Sequence, residues 1–201
     1  MMSGFRIEET RTTEGQDMKR DTLRIAAWVV ALTAIGAIFR LAPHAPNFTP
    51  IAAVALFAGY MLPGRWAIVA PLAAMLIGDA VLGGYEWQTM LLVYTALLAP
   101  VALGPWLRKS ANPLRVGGAS IGAALLFFVV TNFGTWAFSG IYPHTSADLV
   151  AAYAMGLPFL KNTLASGILW SAVFFGAAAL VDLRPLTTSP APRAVPLPTK
   201  A

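Results

Sequence analysis

An all-α integral membrane protein of six transmembrane helices is what the sequence predicts, on three observations. Of 201 residues, 57% are hydrophobic and only 11% charged, with a mean hydropathy of +0.66. Soluble domains carry about 25% charged residues, so a soluble globular domain, a disordered chain and a nucleic-acid binder are excluded together. The apolar residues gather in six blocks between residues 23 and 181, and the basic residues fall almost entirely on alternate connections between them. A net charge of +5 in so apolar a chain reads as membrane topology, not as a nucleic-acid footprint. Without a cysteine, the chain has no disulfide, thiolate metal site or cysteine nucleophile.

Residues 1–21 hold nine charges of mixed sign and read as a solvated cytoplasmic arm. Residues 22–184 form the membrane domain, and the Pro-rich residues 185–201 read as a disordered cytoplasmic tail. The first apolar block, Leu23–Phe39, is followed by Arg40 and Pro43 instead of a small-residue cleavage site, so it reads as a retained span. The second, Ile51–Leu62, is short: its twelve residues make about 18 Å of helix against a bilayer core of about 30 Å. Thr49 suits its N-cap and Pro50 its first position. The third block is Trp66–Leu82, the fourth Met90–Leu107, the fifth Val116–Phe138 and the sixth about Thr163–Val181, with Tyr142–Asn162 as a loop. Counting connections alternately from the N-terminus puts twelve Lys and Arg on one side and only Arg40 and Lys161 on the other. This positive-inside bias predicts both termini in the cytoplasm and a bacterial inner-membrane location.

The segment from Arg40 to Pro50 contains three prolines, Pro43, Pro46 and Pro50, and cannot be regular helix. To make up the depth that the short second helix lacks, it must dip into the membrane from outside. Irregular backbone at that depth is tolerated only against protein or a water-filled cavity, so an outward-facing pocket is expected there. Polar residues collect at the same level: Asp79, Tyr94, Thr131, Asn132, Asn162 and Ser166. A carboxylate in a span is costly and needs a partner, and Arg40 is the expected one for Asp79. Arg40, His44, Asn47, Asp79, Tyr85, Trp87, Asn132, Tyr142, His144 and Asn162 are the candidate ligand contacts. Tyr85 and Trp87 follow the Gly83-Gly84 turn, which could present aromatic rings to a flat ligand. His44 and His144 lack metal-ligand spacing, and no metal or required cofactor is expected. On the first helix, Ala27 and Ala31 are four apart and allow close helix approach, within the chain or from a partner.

Several runs carry a resemblance: Arg40-x-x-Pro43-His44-x-Pro46-Asn47-Phe48-Thr49-Pro50, Ala74-Met-Leu-Ile-Gly-Asp79, Thr131-Asn-Phe-Gly-Thr-Trp136 and Leu157-Pro-Phe-Leu-Lys-Asn-Thr163. Over residues 24–182 the chain resembles a bacterial family of poorly defined function, related to the S components of energy-coupling factor (ECF) transporters. Within that group it is most similar to the solitary cobalamin-uptake, BtuM-like proteins. The resemblance implies a six-helix ECF S-component-like bundle that binds a vitamin, with cobalamin as the transported ligand. It also implies that Ala27 and Ala31 dock an ECF coupling subunit served by ATPases. In the cobalamin-binding members it further implies a cobalt-ligating cysteine at the outer end of helix three. Ala80 stands at that position and joins the candidate ligand contacts on this resemblance, but thiolate ligation and thiol-dependent decyanation are not available, and no enzymatic activity is expected.

The function expected is therefore membrane binding and uptake of a vitamin-like small molecule, with the lipid bilayer and a coupling module as partners and no nucleic acid. Two rivals compete with it. One is an intramembrane metal-dependent hydrolase built on Asp79, His44 and His144. The other is a non-binding assembly subunit whose functional part is the alanine face.

Overall fold

The computed structural model describes the backbone of residues 2–187 and the side chains of residues 15–187. Among the described residues the protein is all helix: α1 (Met2–Leu41), α2 (Ile51–Met61), α3 (Trp66–Leu82), α4 (Trp87–Leu98), a 3-10 turn (Ala99–Leu103), α5 (Gly104–Lys109), α6 (Pro113–Phe138) and α7 (Ser146–Leu180). Four stretches are long and apolar enough to cross a membrane: Gly15–Leu41, Trp87–Lys109, Pro113–Phe138 and Ser146–Leu180. Two further apolar helices, α2 and α3, are shorter, at 11 and 17 residues. Large apolar side chains such as Val30, Leu91, Leu125 and Val173 stand exposed on the outer faces, as lipid contact requires.

The shortest of these apolar helices is the centre of the bundle. α2 packs against every other helix, and nine of its eleven residues are buried. A helix apolar on all sides has no face for solvent or lipid and belongs inside. Phe57 anchors it, with the rings of Trp28, Tyr60, Phe174 and Phe175 at 5.2–6.0 Å. Around α2, α1 pairs with α3 and α6 with α7, the latter pair joined by the buried Ser120–Ser171 hydroxyl bond of 2.8 Å.

An α-helix ends with carbonyls that its own turns cannot satisfy, and inside a membrane water cannot stand in for the missing donors. At the end of α2 the Leu62 N–H closes on Ala58 O, and further donors come from elsewhere in the fold. Arg108 donates from Nη2 to Gly59 O (3.2 Å) and Leu62 O (2.5 Å), and Leu186 N–H donates to Met61 O at 2.8 Å. A Cβ at Gly104 would strike the backbone of Gly59, and one at Gly59 would strike the backbone of Val101, so neither position has room for a side chain. Arg65, Lys109, Arg115 and Arg184 sit on the elements at this same end, with Arg65 over Trp66 and Arg115 over Trp106.

Several boundaries differ from the expected ones. Helix α1 runs unbroken from Met2, so the charged residues 2–21 are continuous in backbone with the helix of the first span. The fourth block breaks into α4, the 3-10 turn and α5, because Pro100 and Pro105 each lack an N–H and crowd the preceding turn. The loop expected over Tyr142–Asn162 is mostly helix: α7 begins at Ser146 and carries Pro158 within it. Its start is capped by Thr145, whose Oγ1 accepts from Asp148 N–H and donates to Asp148 Oδ2. The tail begins later than Pro185, since Leu186 is buried against the bundle; residues 188–201 lie outside the described residues.

Candidate functional site

At the end opposite the basic residues, the short α2 leaves room that no side chain fills. The 42–50 connection roofs this space and is held in two places. Asn162 Nδ2 donates to Pro46 O at 2.9 Å, and Ser166 Oγ donates to Thr49 O at 2.6 Å. Thr49 therefore contributes a carbonyl and does not cap α2, whose N-cap is Pro50 with no side-chain bond. Ser166 is buried, so Ser166→Ala strands that carbonyl and is expected to cost about 1–2 kcal/mol in unfolding free energy. Denaturant titration in detergent checks this, and an unchanged midpoint would assign the carbonyl to water.

The space is a cavity of two adjoining lobes, each of about 290 Å³. The first is lined by Arg40, His44 and Asn47, by Ile51 and Ala52 of α2, and by Met75, Tyr85, Val93 and Gly167. The second is more aromatic, with Phe128, Tyr142 and Phe159 beside Asn132, Met155 and Gly156. Asn47, Phe127, Thr131 and Thr163 face both, so the lobes share a wall. Asn47 has φ 61°, a left-handed conformation that asparagine accepts more readily than most residues.

Arg40 and Asp79 form the expected ion pair, at 2.5 Å between Nη2 and Oδ1. Tyr94 donates its hydroxyl to the other carboxylate oxygen, Oδ2, at 2.8 Å. Both carboxylate oxygens are thus engaged and Asp79 is buried, while Arg40 remains partly open at the cavity wall. The Arg40 side chain reaches this position by crossing α3 at Gly78, where a Cβ would collide with its Cδ and Nε. Burial pushes the Tyr85 phenol up to about 12, helped by the Asp79 charge and opposed by that of Arg40. Tyr85 stays neutral through the physiological range, and its contribution to stability is lost only as pH rises from 10 towards 12.

Of the expected contacts, Arg40, His44, Asn47, Tyr85, Asn132 and Tyr142 line the cavity, and Asp79 braces Arg40 from behind. Four others do not. Ala80 is exposed on α3: one residue past Asp79 turns the chain about 100° around the helix, away from the cavity. Trp87 is 70% exposed as the first residue of α4. His144 packs edge-on against Trp136 and bonds Ala137 O, and Asn162 is used to tether the roof. Among the described residues no three His, Asp or Glu side chains come together as a metal site. The sequence reading missed Met75, Thr163 and Gly167. The signal available for the last two was the small-residue run Thr163–Gly167 on a helix expected to pack tightly.

Comparison with curated proteins and with solved structures finds no match. A family model does match, over residues 20–191, which includes the cavity and the helices that build it. By that match the chain belongs to the Family of unknown function (DUF6580).

Proposed function

We propose that this protein is an inner-membrane binding and uptake protein for a vitamin-like solute. In this reading all six helical stretches serve as spans, both termini are cytoplasmic, and the bundle works as an ECF S component does. The observation that carries it is the two-lobed polar cavity at one end of an otherwise apolar bundle, opposite the basic end. The positive-inside bias turns that cavity outward. Ala27 and Ala31 are exposed on α1, where an ECF coupling subunit with its ATPases would dock.

Cobalamin is the ligand that the resemblance supplies. Two features weigh against it: Ala80 is turned away from the cavity, and two lobes of about 290 Å³ suit a smaller molecule than a corrinoid with its nucleotide tail. Solutes smaller than cobalamin therefore lead, and cobalamin is the comparison ligand.

The test is co-elution. Protein purified in detergent is incubated with cobalamin and, separately, with each water-soluble vitamin, then passed over gel filtration and its bound fraction quantified. We expect close to one ligand per chain for at least one compound, and loss of binding in Asn132→Leu, which fills the second lobe. Ala27→Leu with Ala31→Leu is expected to retain binding and lose uptake in cells. An empty protein peak with every compound, together with full cellular activity of Asn132→Leu, would overturn the reading in favour of an assembly subunit.

A further inference from the structure

We infer that the cavity takes a compact ring compound bearing one carboxylate, its carboxylate against Arg40 and its ring in the second lobe. This inference rests on the uptake reading above and narrows it to a ligand class.

The charge census of the wall comes first. Arg40 is the one Arg, Lys, Asp or Glu among the described residues lining either lobe. Asp79 pairs with it from behind the wall, with Oδ1 held by Arg40 and Oδ2 by Tyr94, so of the two partners only Arg40 reaches the cavity surface. Arg40 uses Nη2 on Asp79 and its Nε is buried against Gly78, so the end of the guanidinium is the part left to meet a ligand. A guanidinium carries five donors in a planar fork, the geometry that a carboxylate matches with two oxygens.

The neighbouring groups have the same polarity. Ile51 and Ala52, the first residues of α2, line the same lobe. Val54 N–H bonds back to Pro50 O and no side chain caps the helix, so the amides of Ile51 to Ala53 precede the first intrahelical bond. The positive end of the α2 dipole thus lies beside Arg40. Tyr85, held neutral, adds a hydroxyl donor. A donor-rich wall with one guanidinium at its surface selects a single group with acceptor oxygens, and it offers no second cation to a polyanion.

The second lobe supplies the other half of the specificity. Phe127, Phe128, Phe159 and Tyr142 with Met155 form a surface for a flat apolar ring, and Asn132 gives it one polar edge. A lobe of about 290 Å³ lies at the small end of ligand sites, a size for one or two fused rings.

The experiment uses three acids as probes, pyridine-3-carboxylate, 4-aminobenzoate and indole-3-carboxylate, each beside its primary amide. Binding to the full-length protein in detergent is measured by calorimetry. At least one acid is expected to bind ten-fold or more tightly than its amide. Arg40→Lys, which keeps the charge and loses the fork, is expected to weaken that acid about ten-fold. The double variant Arg40→Met with Asp79→Leu, which removes the pair without stranding either charge, should abolish the preference for acid over amide. Equal binding of acids and amides overturns the inference. So does an absence of binding by all three acids while cobalamin or a vitamin without a carboxylate co-elutes, and that result leaves the uptake reading standing. Binding by no compound of either set removes both.

Discussion

Arg108→Ala is expected to destabilise the protein by about 4 kcal/mol, more than any other single truncation proposed for the bundle. Arg108 donates to Gly59 O and Leu62 O, and both acceptor residues are buried. A hydrogen bond from a charged donor is worth about 1.5–3 kcal/mol, and here two are lost at once. The cation also faces the negative end of the α2 dipole, adding up to about 2 kcal/mol in a partly buried setting. Alanine would leave two carbonyls unsatisfied at the end of the helix on which every other helix packs. Arg108→Lys is expected to recover less than half, since one ammonium cannot reach both acceptors in the same geometry. The neighbouring Lys109→Ala is the control: Lys109 is exposed, and its loss should stay within about 0.5 kcal/mol. Reversible unfolding in mixed detergent micelles measures all three. An Arg108→Ala protein within about 1 kcal/mol of the parent would mean that water reaches the end of α2.

Asp79→Ala should follow closely, at about 3 kcal/mol. Removing one partner of a buried pair leaves the other charge uncompensated, at a cost of about 3–5 kcal/mol. The lower figure applies because Arg40 keeps 21% of its side-chain surface accessible and can borrow water from the cavity. Tyr94 loses its acceptor in the same step. The double variant Arg40→Met with Asp79→Leu should regain most of the stability, since two apolar side chains of similar volume replace a pair whose attraction was offset by its desolvation. Recovery in the double variant separates an effect of charge from an effect of volume. If the double variant is as unstable as Asp79→Ala, the pair acts through packing across Gly78 rather than through its charges.

The ion pair was legible in the sequence because each charge, alone in an apolar stretch, had to find a partner, and Arg40 and Asp79 fall at the same expected depth. The cavity was legible for a related reason. An eleven-residue helix after a proline-rich connection leaves depth to be filled. Ala80 shows where analogy outran geometry: it neighbours Asp79 in the chain, yet one helical step turns it out of the site. The long loop expected before the sixth helix overlooked the Thr145-x-x-Asp148 signature, which marks a helix start on its own. Arg108 could not have been assigned from sequence. Nothing local distinguishes it from Lys109, and its acceptors lie 46 and 49 residues away.

The two ends of α2 face different neighbours, and this bears on how a solute would cross. Eleven residues span about 16 Å, so in the proposed six-span arrangement a molecule in the cavity would sit about halfway through the bilayer. What separates it from the other side is a plug of protein fastened by Arg108, by the Gly59–Gly104 contact and by the single Leu186 N–H bond to Met61. Access from one face is set by a loop; access to the other requires undoing those fastenings. If the protein carries a solute as proposed, the activation barrier to its translocation would reside at the basic end, away from the cavity. Substitutions that loosen Leu186 should act on turnover and leave affinity unchanged.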